Sequence, residues 1–156
     1  MPNKKIVAVL GGAFDPLHND HLRMAGECLN YALADEVWLI PSPDRWDKKT
    51  YASADHRYAM VAGALSENLL IKAVDFEMKR GEFRGSYVLL NALKKEYPDN
   101  EFRLVVGGDT YPTIPMWRDS KSFNGENYNG HLLLKEFSLI LFPRNNSEIP
   151  DNEAHT

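Results

Sequence analysis

"KIVAVLGGAFDPLHNDHL", Lys5 to Leu22, is the stretch on which this sequence turns. A short apolar run, Ile6 to Leu10, reads as a β-strand and ends in Gly11-Gly12. A loop with Phe14 and Pro16 follows, then His18 and His21, three apart, with Asp20 between them. Paired glycines let backbone approach a ligand closely. The start of a helix presents free N–H groups and the positive end of its dipole, which together attract phosphate. Phe14 is expected to plug the loop into the core and Pro16 to stiffen it, with Asn19 or Asp20 capping a helix that begins near His21. Imidazoles at i and i+3 share a face there. They can donate hydrogen bonds to phosphoryl oxygens and stabilise charge that develops on a transferring phosphorus. Two other readings stand beside this one. The histidines could be two ligands of a zinc site, although no Cys or carboxylate cluster completes the set, or a purely structural cap. No GK[ST] follows and no G-x-G-x-x-G is present, so this is neither the P-loop nor the dinucleotide fingerprint.

Working outward, strand-like and helix-like segments alternate. "HLRMAGECLNYAL" places Leu22, Ala25, Cys28 or Leu29, and Ala32 or Leu33 on one helical face. "DEVWLIP" is a second strand stopped at Pro41, and "ADHRYAMVAGALSE" a helix with Ser53 or Asp55 near its cap. "NLLIKAVDFEMK" reads as a third strand, and "SYVLLNALKKEYP" as a helix capped by Ser86 and ended by Pro98. "EFRLVVGGD" is a fourth strand that again runs into glycines, Gly107-Gly108. "HLLLKEF" is a short helix and "SLILFP" a fifth strand. The alternation predicts an α/β fold: a Rossmann-like, doubly wound sheet of five mainly parallel strands in the order 3-2-1-4-5, with helices on both faces. Ligands of such sheets lie beyond the carboxyl ends of the strands, where strand order reverses. The two Gly-Gly pairs are expected to wall one site there, or else merely to permit two tight turns.

The chain has 156 residues and a net charge of −4. That length suits one domain, expected over residues 1–144, with residues 145–156 as a polar tail. The charge disfavours a nucleic-acid polymer as partner without disfavouring a single nucleotide. The one cysteine, Cys28, excludes an internal disulfide and sits where a small core residue belongs. No apolar run is long enough for a secretory signal or a membrane span, so a cytoplasmic protein with no membrane partner is expected. The turn-rich stretch 124–131 is expected to be a mobile surface loop and is the candidate interface of a homo-oligomer.

"GGAFDPLHNDHL" resembles the GxFDPxHxGHL signature of the nucleotidyltransferases, and most closely that of the bacterial nicotinate-mononucleotide adenylyltransferases. "KKTYASADHRYAM" is similar to the family's lysine-bearing loop and R-x-x-M helix, and "SYVLLNAL" to its SYT-type helix start. "VVGGDTYPTIPMWRD" resembles its GxD…W[KR] segment, and "LILFPR" its fifth strand and following arginine. The resemblance runs from Lys4 to Arg144. It implies adenylyl transfer from ATP to a pyridine mononucleotide, nicotinate or nicotinamide, with Mg²⁺ accompanying ATP and pyrophosphate leaving. It implies His18 and His21 at the ATP phosphates, and Gly11, Gly12, Ala13, Phe14, Lys48, Arg57 and Arg144 around ATP. Gly107, Asp109, Trp117, Arg118 and Ser86 would surround the mononucleotide, with Trp117 stacked on the pyridine ring. Read without the resemblance, Trp117 has the alternative of a packing tryptophan, Arg57 reads equally as a solvated helix residue, and Lys48 with Lys49 is more often a surface charge pair.

The pattern is departed from in two places. Asp20 stands where the signature has glycine, bringing a carboxylate to the phosphate end of the helix. It is expected to turn outward as a cap or to bind the Mg²⁺. The ISSTxxR-type motif that follows the family's fifth strand has only a faint echo in "NNSEIP", Asn145 to Pro150, and the last twelve residues hold no Lys or Arg. An active adenylyltransferase, whether trimmed or naturally short, a weakened or inactive nucleotide-binding relative, and another adenylyl- or cytidylyltransferase therefore all remain open.

Overall fold

The computed structural model describes residues 4–44, 49–119 and 128–143. Its centre is β1 (Lys5–Gly12), paired in parallel with β2 (Glu36–Pro41) on one side and with β4 (Asn100–Gly107) on the other. β3 (Ile71–Ala73) continues the sheet beyond β2, and β5 (Ser138–Phe142) beyond β4. The order is β3-β2-β1-β4-β5, all parallel, as the alternation predicts. The chain thus builds outward from β1 in one direction and then returns to build in the other, which puts the reversal between β1 and β4.

Both faces of the sheet are covered, and period-two alternation sorts its residues between them. Ala8, Leu10, Val37, Leu39, Val105 and Ile140 face α1 (Asn19–Asn30) and α2 (Ala54–Ala64), meeting Met24, Ala25, Cys28 and Val61. Val7, Val9, Trp38, Ile40, Phe102, Leu104 and Leu139 face the opposite way. There they meet Leu89, Leu90 and Leu93 of α4 (Ser86–Glu96) and Leu133 of α5 (Gly130–Glu136). Each fully buried leucine contributes roughly 1.5–3 kcal/mol, so these helices are held by their inner faces rather than by helical propensity.

Three local expectations change. α1 begins at Asn19 with His18 as its N-cap, so Asn19 and Asp20 lie inside the first turn instead of capping it. α4 is capped by Gly85, with Ser86 its first residue. The third strand stops at Ala73. The residues after it, Phe76–Arg80, form a short helix, α3, which ends at Gly81 in the left-handed conformation (φ 83°). A helix closed by a left-handed glycine is a common stop, and it overrides the partial alternation of "VDFEMK". Of the stretch 124–131, Gly130 and His131 open α5, while residues 124–127 lie outside the described residues. No described helix is long and apolar enough to cross a membrane.

Candidate active site

At the carboxyl edge of the sheet, beside the reversal between β1 and β4, lies a cavity of about 460 Å³. One wall is Leu10, Gly11, Gly12, His21, Met24 and Ser42, from the ends of β1 and β2 and the start of α1. The other is Gly107, Thr110, Met116, Trp117 and Arg118, from the end of β4 and the turn after it. Glu77, Phe83, Gly85 and Ser86 close the remaining side. The two glycine-ended strands therefore do wall one cavity.

The β1 wall is shaped by the loop to α1. Phe14 is 3% exposed and takes a positive φ of 51°, uncommon for a residue with a side chain. Its ring lies under Gly12 and meets the edge of the His21 ring at 4.9 Å and 77°. A Cβ added at Gly11 would meet no protein atom within 4 Å. Neither a left-handed backbone nor packing requires that glycine, and it stands on the cavity wall. The Asp15–Pro16 peptide bond is cis.

The histidines form a unit. The backbone N–H of His18 donates to Nδ1 of His21 at 3.0 Å, and the rings stack with centroids 5.5 Å apart. With Nδ1 accepting, the neutral His21 ring carries its proton on Nε2, as a hydrogen-bond donor. His21 lines the cavity, whereas His18 is exposed beside it at the N-cap. The structural-cap reading is thus correct for part of the pair, and it is compatible with a cavity role for His21. For the zinc reading, no group of three or more His, Cys, Asp or Glu that could hold a metal exists among the described residues. Asp20 turns outward on the first turn of α1, 64% exposed, with Arg23 Nε 3.7 Å from its carboxylate. It does so without capping the helix and is absent from the cavity walls.

The β4 wall is carried by a 3-10 turn, Tyr111–Met116. Trp117 follows it, half-buried against the core; its Nε1 donates to Thr113 Oγ1 at 3.1 Å and its N–H to the Ile114 carbonyl at 2.9 Å. The Trp117 carbonyl accepts from the N–H groups of Asn129 and Gly130. Trp117 is therefore both a packing residue and a cavity residue. Gly130 is needed here because a Cβ would stand 1.7 Å from the Ile114 carbonyl oxygen. Gly85 has φ 94°, and its Cβ would sit 3.1 Å from the Arg118 carbonyl oxygen.

The remaining nominated residues divide. Ser86, Gly107 and Arg118 line the cavity; Asp109 is exposed and does not. Ala13 is half-buried and turns its carbonyl away to Arg57. Arg57 is neither solvated nor on the cavity wall. It is 0% exposed and donates to three backbone carbonyls, those of Ala13, Ser42 and Ala52. Lys48 and Arg144 lie outside the described residues. Sequence reading missed Ser42, Gly85 and Glu77. Ser42 directly follows a strand's carboxyl end, the place where ligand residues of parallel sheets collect; Glu77 was hidden by the misread third strand.

The sequence profile described as cytidylyltransferase-like matches residues 9–149. The chain belongs to the cytidylyltransferase-like family. Among the relatives of this family member are a probable nicotinate-nucleotide adenylyltransferase of Shouchella clausii and a nicotinate-nucleotide adenylyltransferase of Bacillus subtilis. The first is 35% identical over 116 residues, covering 73% of this chain and 60% of the relative. The second is 33% identical over 115 residues, covering 72% and 61%. The chain thus spans about three fifths of the length of the curated relatives it matches. In fold it is similar to the Plasmodium falciparum nicotinic acid mononucleotide adenylyltransferase complexed with NaAD, with a TM-score of 0.79 and 23% identity, covering 96% of this chain and 69% of the other.

Proposed function

We propose that this cytidylyltransferase-like chain carries the nucleotide site of an adenylyltransferase that joins ATP to nicotinate mononucleotide, releasing pyrophosphate. The observation that carries the proposal is the cavity at the strand-order reversal, with an imidazole on its β1 wall and an indole on its β4 wall. The similarity to relatives named nicotinate-nucleotide adenylyltransferases supports the choice of substrates.

On this reading the chain supplies position and charge and forms no covalent intermediate. Gly11 and Gly12 leave room for the nucleotide backbone. The start of α1 and the Nε2–H of His21 face the triphosphate, where donors to the phosphoryl oxygens stabilise charge as the mononucleotide phosphate attacks the α-phosphorus in line. His18 contributes through its N-cap backbone, which fixes the His21 tautomer. Trp117 offers its face to the pyridine ring, with Arg118 and Ser86 beside it.

The described residues do not form a magnesium cage, and Asp20 points away to Arg23. Magnesium commonly arrives on substrate phosphates with few protein ligands, so the ATP complex remains the substrate form to supply. Two copies of the chain in one assembly remain a proposal, tested by the mass of the particle in solution.

The test is pyrophosphate release from ATP and nicotinate mononucleotide with Mg²⁺, set beside nicotinamide mononucleotide. Turnover is expected, and His21→Ala is expected to lower kcat/KM by about 10²-fold or more. Saturable ATP binding without turnover on any mononucleotide would replace this reading with that of a nucleotide-binding relative.

A further inference from the structure

Below the β1 wall, Arg57 of α2 ties three segments together. Its Nη1 donates to the Ala13 carbonyl at 2.8 Å and to the Ser42 carbonyl at 2.9 Å, and its Nε to the Ala52 carbonyl at 3.1 Å. Asp15 closes the bracket from the opposite side. Its carboxylate accepts the N–H of Tyr51 and, at 3.1 Å, that of Ala52. The loop after β1, the end of β2 and the segment before α2 are thereby locked to one another.

Stability alone does not account for the choice of arginine. The guanidinium is fully buried, its Nη2 has no hydrogen-bond partner among the described residues, and the carboxylate paired with it there, Asp44, is 81% exposed at 3.6 Å. A well-packed apolar residue is commonly as stable as a buried ion of this kind, or more so. What the bracket does hold is the carbonyl directly before Phe14, whose positive φ persists only where surrounding structure enforces it. Phe14 in turn sets the edge of His21 and underlies Gly12.

We infer that Asp15 and Arg57 are positioning residues for the triphosphate half of the cavity, acting through the carbonyl of Ala13 and the amides of Tyr51 and Ala52. The inference rests on the adenylyltransferase reading for its ligand.

The test uses the full chain with Arg57→Met, Arg57→Lys and Asp15→Asn, well below their melting temperatures. The measurements are ATP affinity, KM for each substrate, and hydrogen exchange at the Tyr51 and Ala52 amides. Arg57→Met and Asp15→Asn are expected to weaken ATP on the order of 10- to 100-fold, to leave KM for the mononucleotide within about two-fold, and to speed exchange at both amides. Arg57→Lys keeps the charge and loses the fork, so it is expected to recover only part of the ATP affinity. Should Arg57→Met fail to fold, Asp15→Asn, which leaves the buried guanidinium in place, decides the matter. Folded variants that melt earlier yet bind ATP as the parent does would overturn the inference and leave the adenylyltransferase reading intact. Parent protein that binds ATP without turnover overturns the reaction and leaves the bracket to be judged by ATP affinity. Parent protein that binds no ATP overturns both.

Discussion

Gly130→Ala links the packing of this fold to its proposed chemistry. The new Cβ would lie 1.7 Å from the Ile114 carbonyl oxygen and 2.7 Å from its carbon, against an ordinary contact of 3.4 Å or more. The turn 111–116 must retreat by about 1.7 Å, or α5 must lift by as much. The Ile114 carbonyl is also the acceptor for the Trp117 N–H, so retreat strains the bond that seats the indole. Overpacking of this kind costs about 1–3 kcal/mol, and a weakened hydrogen bond about 1 more. Together these lower the melting temperature by roughly 4–16 °C in a domain of this size.

The kinetic consequence is directional. A displacement near 1 Å at a positioning group can cost about 10²-fold, and here it falls on the β4 wall. KM for the mononucleotide should therefore rise at least about ten-fold while KM for ATP stays within about two-fold. Gly63→Ala is the control, since a Cβ on that α2 residue meets nothing within 4 Å; it should stabilise by about 0.5–1 kcal/mol and leave both KM values alone. Thermal melting and steady-state pyrophosphate release read both variants. A Gly130→Ala protein with unchanged melting and unchanged mononucleotide KM would refute the claim that this glycine seats Trp117.

Three shorter predictions follow. Burial, aided by Glu27, pushes the Cys28 thiol up to about 12, so native protein at pH 8 should resist iodoacetamide and unfolded protein should react; prompt native labelling would contradict the packing of α1. Burial by itself would raise the Glu36 carboxyl, but hydrogen bonds from Lys5, Trp38 and Lys72 outweigh it and hold the group at about 2, against 4.5 ordinarily. The unfolded chain then takes up a proton that the folded one refuses, so stability should fall by at most roughly 3 kcal/mol as pH drops from about 4.5 to about 2, and Glu36→Gln should flatten that part of the urea-stability profile. Asp20→Asn should change ATP affinity by less than about three-fold, because the carboxylate is exposed and beside Arg23; a ten-fold gain would show that it acts on the phosphates after all.

The sheet was legible because five apolar runs alternate with helical patterns, and right-handed crossovers leave few ways to connect them. The cavity was legible for the same reason: Gly11-Gly12 and Gly107-Gly108 mark carboxyl strand ends on either side of the reversal. Residues whose roles depend on tertiary neighbours were not. Nothing local distinguishes a surface arginine from Arg57, whose three acceptors lie 5, 15 and 44 residues away. Gly130 sits in the sequence "YNGH", which reads as a turn, and only the Ile114 carbonyl shows why a side chain is excluded there. The cap of α1, expected at Asn19 or Asp20, lies one or two residues earlier at His18 because histidine is a rare N-cap, and its use here depends on His21 Nδ1 reaching back to the His18 amide.

The two walls are fixed by separate devices. The β1 wall is set by the Asp15–Arg57 bracket and by Phe14, all on the α1 and α2 face of the sheet. The β4 wall is set by Gly130 under Ile114 and by Gly85 under Arg118, on the α4 and α5 face. The devices share no residue, and the sheet lies between them. Mutations at well-separated sites with no common partner are additive in free energy. On the proposed reading, one wall takes the triphosphate and the other the pyridine, so Asp15→Asn and Gly130→Ala should each disturb one substrate, and the double variant should show the product of their effects on kcat/KM. A double variant markedly better or worse than that product would mean that the walls move as one body, and that the cavity closes across the strand reversal when both substrates are present.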